Sequence, residues 1–163
     1  MALDTTIGGT ASDSYGTLAA YTAYGDSMGW TLAATDAANE INLRRGATYI
    51  DRKYLFVGLK QYQYQARDWP RLVRDLAEDW PINPDTIPVD VIYAQFEMAH
   101  ILQGGLDPFA TIETGSTSES ITVGPITIAG SNLPTSPPRI VAVEGLLRAY
   151  IRGGQGLIKM RRG

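Results

Sequence analysis

The sequence predicts a mainly α protein. We expect a small helical bundle of about four helices, with a β-hairpin or extended β arm at about residues 111–129 and extended N- and C-terminal arms. Three observations predict this class. Apolar residues recur at helical spacing between cap residues and glycines. A later stretch is rich in small β-formers. The first residues are small and polar, and the last are basic.

The first helix is predicted between Thr17 and Gly29, after a small, polar N-terminal arm at residues 1–13. Thr17 is a suitable N-cap, and Gly29 suits the left-handed position that ends a helix. Apolar and aromatic side chains form a stripe between them: Leu18, Tyr21, Tyr24 and Met28.

The second helix is predicted to begin after Thr35, with Asp36 near the positive end of the helix dipole. Its apolar residues are Ala37, Ile41, Leu43, Ala47, Ile50 and Tyr54. Gly46 lies mid-helix, where glycine costs up to about 1 kcal/mol relative to alanine, so we expect a neighbour to approach closely there.

Residues 55–88 are predicted to be irregular because four prolines interrupt them: Pro70, Pro81, Pro84 and Pro88. Pro70 suits a first helical position, so a short helix from about Arg71 to Glu78 is possible.

The third long helix begins at Pro88 and ends at Gly104-Gly105. Its apolar residues recur three or four positions apart: Val91, Ala94, Met98 and Ile101.

Residues 111–130 form the predicted β arm. Apolar and polar residues alternate on both sides of Gly124-Pro125, which fits two strands or one bulged extended arm. A two-stranded ribbon is marginal alone in water, so we expect neighbouring copies to order it. The apolar residues assigned to this contact between subunits are Ile112, Ile121, Val123, Ile126 and Ile128.

A linker at 131–138 leads to a final helix at 139–152, with Ile140, Val143, Leu147 and Ile151 on one face. The length predicts a single domain over 1–163, with a helical core at 14–110 and a C-terminal tail at 153–163.

Charge is distributed unevenly along the chain. Residues 139–163 contain six basic residues and one acidic residue, whereas residues 1–138 carry a net charge of −8. The first forty residues contain five acidic residues and no lysine or arginine. An acidic body with a basic tail suggests an interaction tail and suits head-to-tail contacts between copies.

Several classes of site are excluded or disfavoured. The chain has no cysteine, which excludes disulfides, thiolate metal sites and a cysteine nucleophile. The single histidine, His100, has no evident catalytic partner and is interpreted as structural or surface-exposed. The glycines at 153–156 follow a helix and lack the ending of a phosphate loop. We therefore predict no enzyme activity, no cofactor and no metal; the sequence also suggests no signal peptide and no membrane span.

One stretch interleaves aromatic and basic residues: Lys60, Tyr62, Tyr64, Arg67, Trp69 and Arg71. Single-stranded nucleic acid can stack on such aromatics beside positive charge. Packing of the aromatics on the helices is the favoured interpretation, because an acidic body opposes strong DNA affinity.

The basic tail allows three interpretations: nucleic-acid binding, docking on an acidic protein surface, or simple solvation. Its apolar residues, Leu157, Ile158 and Met160, favour protein docking by strand addition or in a groove.

The order of several segments resembles phage head–tail connector adaptors, a group often labelled "DnaT-like single-stranded-DNA-binding protein". The resemblance spans nearly the whole chain, and no single motif in it is specific. It rests on residues 5–15, a helix ending near Trp30, 38–51 with the core Leu43–Asp51, Trp69–Arg71, Ile87-Pro88, Val123–Ile126 and Leu146–Tyr150. Residues 55–86 depart from the family pattern like an insertion.

The resemblance implies a structural virion protein in the phage neck, at the head–tail interface, assembled in the host cytoplasm. It implies a homo-oligomeric ring, commonly of about twelve copies. The ring docks on the portal protein and offers a platform for a head-closure, stopper or tail terminator protein. Double-stranded DNA passes through the lumen without sequence-specific binding, and no membrane is involved. The portal-docking role maps by position onto Arg148, Arg152, Leu157, Ile158, Lys159, Met160, Arg161 and Arg162. The alternative is a DnaT-like protein that binds single-stranded DNA.

Overall fold

The structure is a computed structural model of the 163-residue chain. It describes residues 2–73, 82–106, 121–123, 126–128 and 140–152. The chain divides into two compact units, Met1–Leu106 with Ile140–Gly163, and Asp107–Arg139. Four helices and two short antiparallel strand pairs are found in the described ranges, which confirms the predicted mainly α class.

Helix α1 spans Leu18–Met28 and has both predicted caps. The Thr17 side chain accepts a hydrogen bond from the Ala20 N–H at 3.2 Å. Gly29 is left-handed, with φ 70°, and its N–H returns to the Asp26 carbonyl. A side chain there would be strained, so glycine fixes the end of the helix.

Helix α2 spans Asp36–Lys53, with Thr35 as its N-cap. Helix α3 spans Val89–Gln103 and follows Pro88, as predicted. The two helices touch at Gly46, where a Cβ would lie 3.0 Å from the Gln95 carbonyl oxygen. The expected close approach at Gly46 is therefore confirmed, and the approaching neighbour is the backbone of α3.

Helix α4 spans Val141–Leu147 and is shorter than the predicted 139–152. After α4 the chain turns and runs beside the segment that follows α2. Ile151 forms an antiparallel bridge with Phe56, the Val57 N–H donates to Tyr150, and the Arg152 N–H donates to Leu55. The helix ends early because this backbone pairing replaces helical hydrogen bonds.

Strands β1, Leu59–Lys60, and β2, Arg71–Leu72, pair antiparallel, with Leu59 opposite Leu72. The prediction that a helix begins at Arg71 is therefore wrong, because the backbone there pairs with β1. The rest of that predicted helix, 74–78, lies outside the described residues.

The second unit contains strands β3, Ile121–Val123, and β4, Ile126–Ile128. They pair antiparallel, with Thr122 opposite Thr127. The β arm is thus a hairpin with two strands and not one bulged segment; Ile112 lies outside the described residues.

The N-terminal arm closes on itself more than an extended arm would. The Asp4 N–H donates to the Asp13 carboxylate, and the Asp13 N–H donates to the Asp4 carbonyl, both at 2.9 Å. We call residues 4–13 the N-terminal loop. Its small polar residues allow these short-range hydrogen bonds, which close the loop. Arg44 of α2 holds the loop against the helix through an ion pair with Asp13 at 2.6 Å.

Two apolar clusters form the core of the first unit. The larger lies among α2, α3, α4 and residues 54–73, and includes Ile50, Met98 and Leu147. The smaller joins α1 to α2 and α3 through Tyr21, Leu43, Phe96 and Ala99. Over the described ranges, none of the helices has the length and apolar character needed to span a bilayer.

Candidate nucleic-acid interface

Three members of the aromatic and basic stretch are structural. Trp69 is 1% exposed and packs edge-to-face on Phe56 and Tyr150. Arg71 is buried, and its guanidinium donates to four backbone carbonyls, including those of Val57 and Gly58 at 2.8 Å. These contacts leave Trp69 and Arg71 unable to reach a ligand, as the packing interpretation predicts.

Arg67 is the third structural member. It donates to the Asp51 carboxylate at 3.2 Å, to Thr48, and to the Asp13 carbonyl at 2.7 Å. Arg67 therefore ties the loop after β1 to helix α2 and to the N-terminal loop.

Asp51 is the centre of this polar network. The Tyr15 hydroxyl donates to its carboxylate and accepts a hydrogen bond from the Asp68 N–H. Burial raises the pKa of Asp51 to about 6, although the Tyr15 hydrogen bond and the Arg67 charge oppose the rise. Burial and the neighbouring Asp51 charge also raise the pKa of Tyr15. Removing a carboxylate from water favours its neutral form, so burial has the larger effect here.

The network supports an outward-facing segment, residues 61–70, which we call the tyrosine loop. Gln65 is buried and holds the loop closed: it accepts from the Tyr62 N–H and donates to the carbonyls of Arg67 and Pro70. On the outer side of the loop, Tyr64 is 74% exposed and Tyr62 is 43% exposed. Both tyrosines thus present ring surface to solvent on a fixed backbone, and neither is buried as the packing interpretation expects.

Tyr62 is further restrained on two sides. Its hydroxyl donates to Asp85 at 2.6 Å, and its ring lies against Gly8. A Cβ at Gly8 would collide with the ring, so only glycine fits there. Lys60, the neighbouring cation, pairs with Asp68 at 3.0 Å. The carboxylates of Asp85 and Asp68 therefore partly balance the positive charge beside Tyr62.

Exposed cations continue from the tyrosines towards the end of α2. Between Asp51 and Asp68 the sequence has no acidic residue. Exposed side chains occur along this segment from the end of α2 to the tyrosine loop. We call the following residues the basic–tyrosine rim: Arg52, Lys53, Leu55, Leu59, Lys60, Tyr62 and Tyr64. Arg152, also exposed, joins the rim because its backbone pairs with Leu55. The interleaved spacing in the sequence indicates Lys60, Tyr62 and Tyr64. It misses Arg52, Lys53 and Arg152, which the fold brings to the same surface.

The residues mapped to portal docking are placed only in part. Arg148 and Arg152 are described and exposed, whereas 157–162 lie outside the described residues. Ile121, Val123, Ile126 and Ile128 lie in the β3–β4 hairpin. His100 stacks on Trp30 with ring centroids 4.1 Å apart. In the part of the chain that is described, no three side chains of His, Asp or Glu gather as a metal site would require.

Comparison with known protein families gives a match over the whole chain. A family model described as "Putative DnaT-like ssDNA binding protein" covers residues 1–163. No curated protein and no solved structure matches the chain significantly. Because the family model spans the entire sequence, the chain belongs to this DnaT-like family.

Proposed function

We propose that the chain binds single-stranded DNA through the basic–tyrosine rim. The main support is that exposed cations and exposed tyrosines lie along one continuous segment of the backbone, 52–64, which contains no acidic residue. Bases of any sequence can stack on aromatic rings while cations contact the phosphates. The family description supports the same activity.

The rim has a stacking end and a cationic end. Tyr62 and Tyr64 form the first, on a loop that Gln65 and Arg67 hold in place. Arg52, Lys53 and Arg152 form the second. A fixed loop lowers the ordering cost of binding, because little conformational freedom remains to be lost. The net charge of −3 limits affinity elsewhere on the surface and directs the strand to the rim.

Fluorescence anisotropy with a labelled oligothymidine tests the proposal. Tyr64→Ala should weaken binding about tenfold, because a base stacked on an aromatic contributes about 1–3 kcal/mol. Arg52→Gln with Lys53→Gln should reduce the salt slope by roughly 1.4, at about 0.7 for each phosphate contact on a single strand. Tyr93→Ala, which removes an exposed tyrosine from α3, is the matched control and should bind like wild type. Absence of binding at low salt, or equal losses for Tyr64→Ala and Tyr93→Ala, would contradict the proposal.

A second candidate is the adaptor subunit of a phage head–tail connector ring. The β3–β4 hairpin supports it: a ribbon with three residue pairs is too short to be stable alone, and neighbouring copies in a ring would extend it. In this proposal the basic C-terminal residues, including Arg148 and Arg152, dock on the portal. A head-closure or tail protein binds below the ring, and double-stranded DNA passes through the lumen.

Co-sedimentation with portal particles separates the two candidates. The adaptor proposal expects wild-type chain to pellet with portal and Arg161→Glu with Arg162→Glu to stay in the supernatant. Tyr64→Ala should pellet like wild type, because the tyrosine loop has no role in that docking. If wild-type chain fails to pellet and binds the oligonucleotide, the adaptor proposal is rejected and the first stands.

A further inference from the structure

Helices α1 and α3 carry a second aromatic surface that the proposed DNA contact does not use. Tyr93 stacks on Tyr24 with centroids 4.5 Å apart, and Tyr24 meets Trp30 edge-to-face at 5.3 Å. Trp30 in turn stacks on His100 at 4.1 Å, with the rings nearly parallel. We call these four side chains the aromatic ladder. Tyr93 is 37% exposed, so the ladder reaches solvent.

Negative charge lines the ladder. Asp90, Tyr93, Glu97 and His100 follow one stripe of α3 at helical spacing. Glu97 accepts a hydrogen bond from the Tyr24 hydroxyl at 3.0 Å. Neither α1 nor α3 contains a lysine or arginine that could neutralise the carboxylates. The Glu97 charge adds to burial in raising the pKa of both Tyr21 and Tyr24 to about 12.

Carboxylates beside partly exposed aromatic rings favour a cationic ligand that also has apolar groups. Arginine and lysine bind aromatic faces by cation–π contact, worth about 0.5–2 kcal/mol each. Methionine makes further favourable contacts with ring edges. A nucleic-acid strand does not suit this surface, because its phosphates would face the Glu97 carboxylate.

One segment of this chain has the required chemistry. Residues 157–162 combine three cations with three apolar side chains: Leu157, Ile158, Lys159, Met160, Arg161 and Arg162. We propose that the aromatic ladder is the docking surface for this C-terminal segment of a second copy. The ladder and the segment, two parts of one sequence, are complementary in charge and in side-chain type.

An acidic surface and a basic tail on the same chain produce head-to-tail association. Each copy offers one donor segment and one acceptor surface, so the contact is heterologous and can close into a ring. Docking of a tail on its own molecule is the competing arrangement. If the tail docks on a second copy, a variant with a damaged tail and a variant with a damaged ladder can associate when mixed. If the tail docks on its own molecule, they cannot.

Complementation measured by sedimentation velocity tests the proposal. One variant, Glu97→Lys, has a damaged ladder and an intact tail. The other, Arg161→Gln with Arg162→Gln, has a damaged tail and an intact ladder, and its neutral tail cannot pair with a lysine at position 97. Wild-type chain should form species larger than a monomer as its concentration rises, and each variant alone should remain monomeric. An equimolar mixture should form dimers and nothing larger, because only one pairing of tail and ladder is intact.

Controls make the result specific. Circular dichroism checks that each variant is folded, and Tyr93→Lys replaces Glu97→Lys if the latter is not, since Tyr93 is exposed and its loss breaks no hydrogen bond. Ala142→Lys adds a lysine on the exposed side of α4 and should assemble like wild type. The proposal is overturned if wild-type chain stays monomeric at every concentration, if the mixture stays monomeric, or if Ala142→Lys is as defective as Glu97→Lys. None of these readouts depends on DNA, so failure here leaves the rim proposal intact.

Discussion

Helix α2 is held by two neighbours in different ways. Towards α3 it packs through apolar side chains and the close approach at Gly46. Towards the N-terminal loop and the tyrosine loop it is held by Asp51, Arg67 and Tyr15, a network of charges and hydroxyls. Apolar packing is insensitive to pH, whereas a buried carboxylate responds to it. The helical body and the proposed DNA-binding surface should therefore differ in their response to solution conditions.

Damage to the apolar contact should have the largest effect on stability. Met98 of α3 is fully buried in the larger apolar cluster, to which α2 also contributes, and Met98→Ala leaves a cavity. We expect a loss of about 2–5 kcal/mol in the free energy of unfolding, from urea denaturation. The loss should be the same at pH 5 and pH 8, and a loss that changes by more than about 1 kcal/mol between them would contradict an apolar contact.

Asp51→Asn should change the pH dependence of stability. The folded pKa of about 6 lies above the ordinary value of 3.8, so between these values the folded state binds more protons than the unfolded state. Stability contributed by this group is thus present below about pH 4 and is lost as pH rises through 6. The difference corresponds to at most about 3 kcal/mol.

Urea denaturation from pH 4 to pH 8 measures this difference. Wild type should lose stability across the window relative to Asp51→Asn, whose profile should be flatter. Asp36→Asn, at an exposed position in the first turn of α2, is the control and should keep the wild-type slope. A profile for Asp51→Asn parallel to wild type would show that the carboxyl does not titrate in this range.

The smallest effect should follow loss of the Lys60–Asp68 ion pair at the edge of the network. Both side chains are partly exposed, at 39% and 23%. Exposed pairs contribute about 0–1 kcal/mol, so Lys60→Met should change stability by less than about 1 kcal/mol and less still at high salt. Thermal unfolding at low and high salt measures the change. An effect as large as that of Met98→Ala would remove the distinction between the two contacts of α2.

Local signals in the sequence predict the helices well. Thr17, Gly29 and Thr35 act within four residues of themselves, through caps that depend on residue type alone. The close approach at Gly46 can also be predicted, because a glycine in the middle of a helix usually marks a place where a neighbour comes close. The end of α4 cannot be predicted from nearby residues. Its helical hydrogen bonds are replaced by pairing with the backbone at Leu55 and Phe56, almost a hundred residues earlier in the chain.

The candidate interface is less predictable for the same reason. Arg67 and Arg71 look like ligand-binding cations in sequence, but their carboxylate and carbonyl partners lie elsewhere in the chain. Tyr64 and Trp69 are five residues apart and equally aromatic, yet one is exposed and the other is buried. The local sequence predicts that aromatic and basic residues lie close together. Long-range packing determines which of these side chains face solvent.

Gln95 has a consequence for the order of folding during synthesis. Its amide is fully buried and joins Ser14, Tyr15 and Gly16 to the Leu43 carbonyl. These partners leave the ribosome long before Gln95 does, since about eighty residues separate Tyr15 from it. Until then the N–H groups of Tyr15 and Gly16 remain hydrated, and residues 14–16 cannot take their final position against α3. Contacts between distant residues slow folding, so we expect the beginning of this polypeptide to be among the last parts to acquire protection from hydrogen exchange.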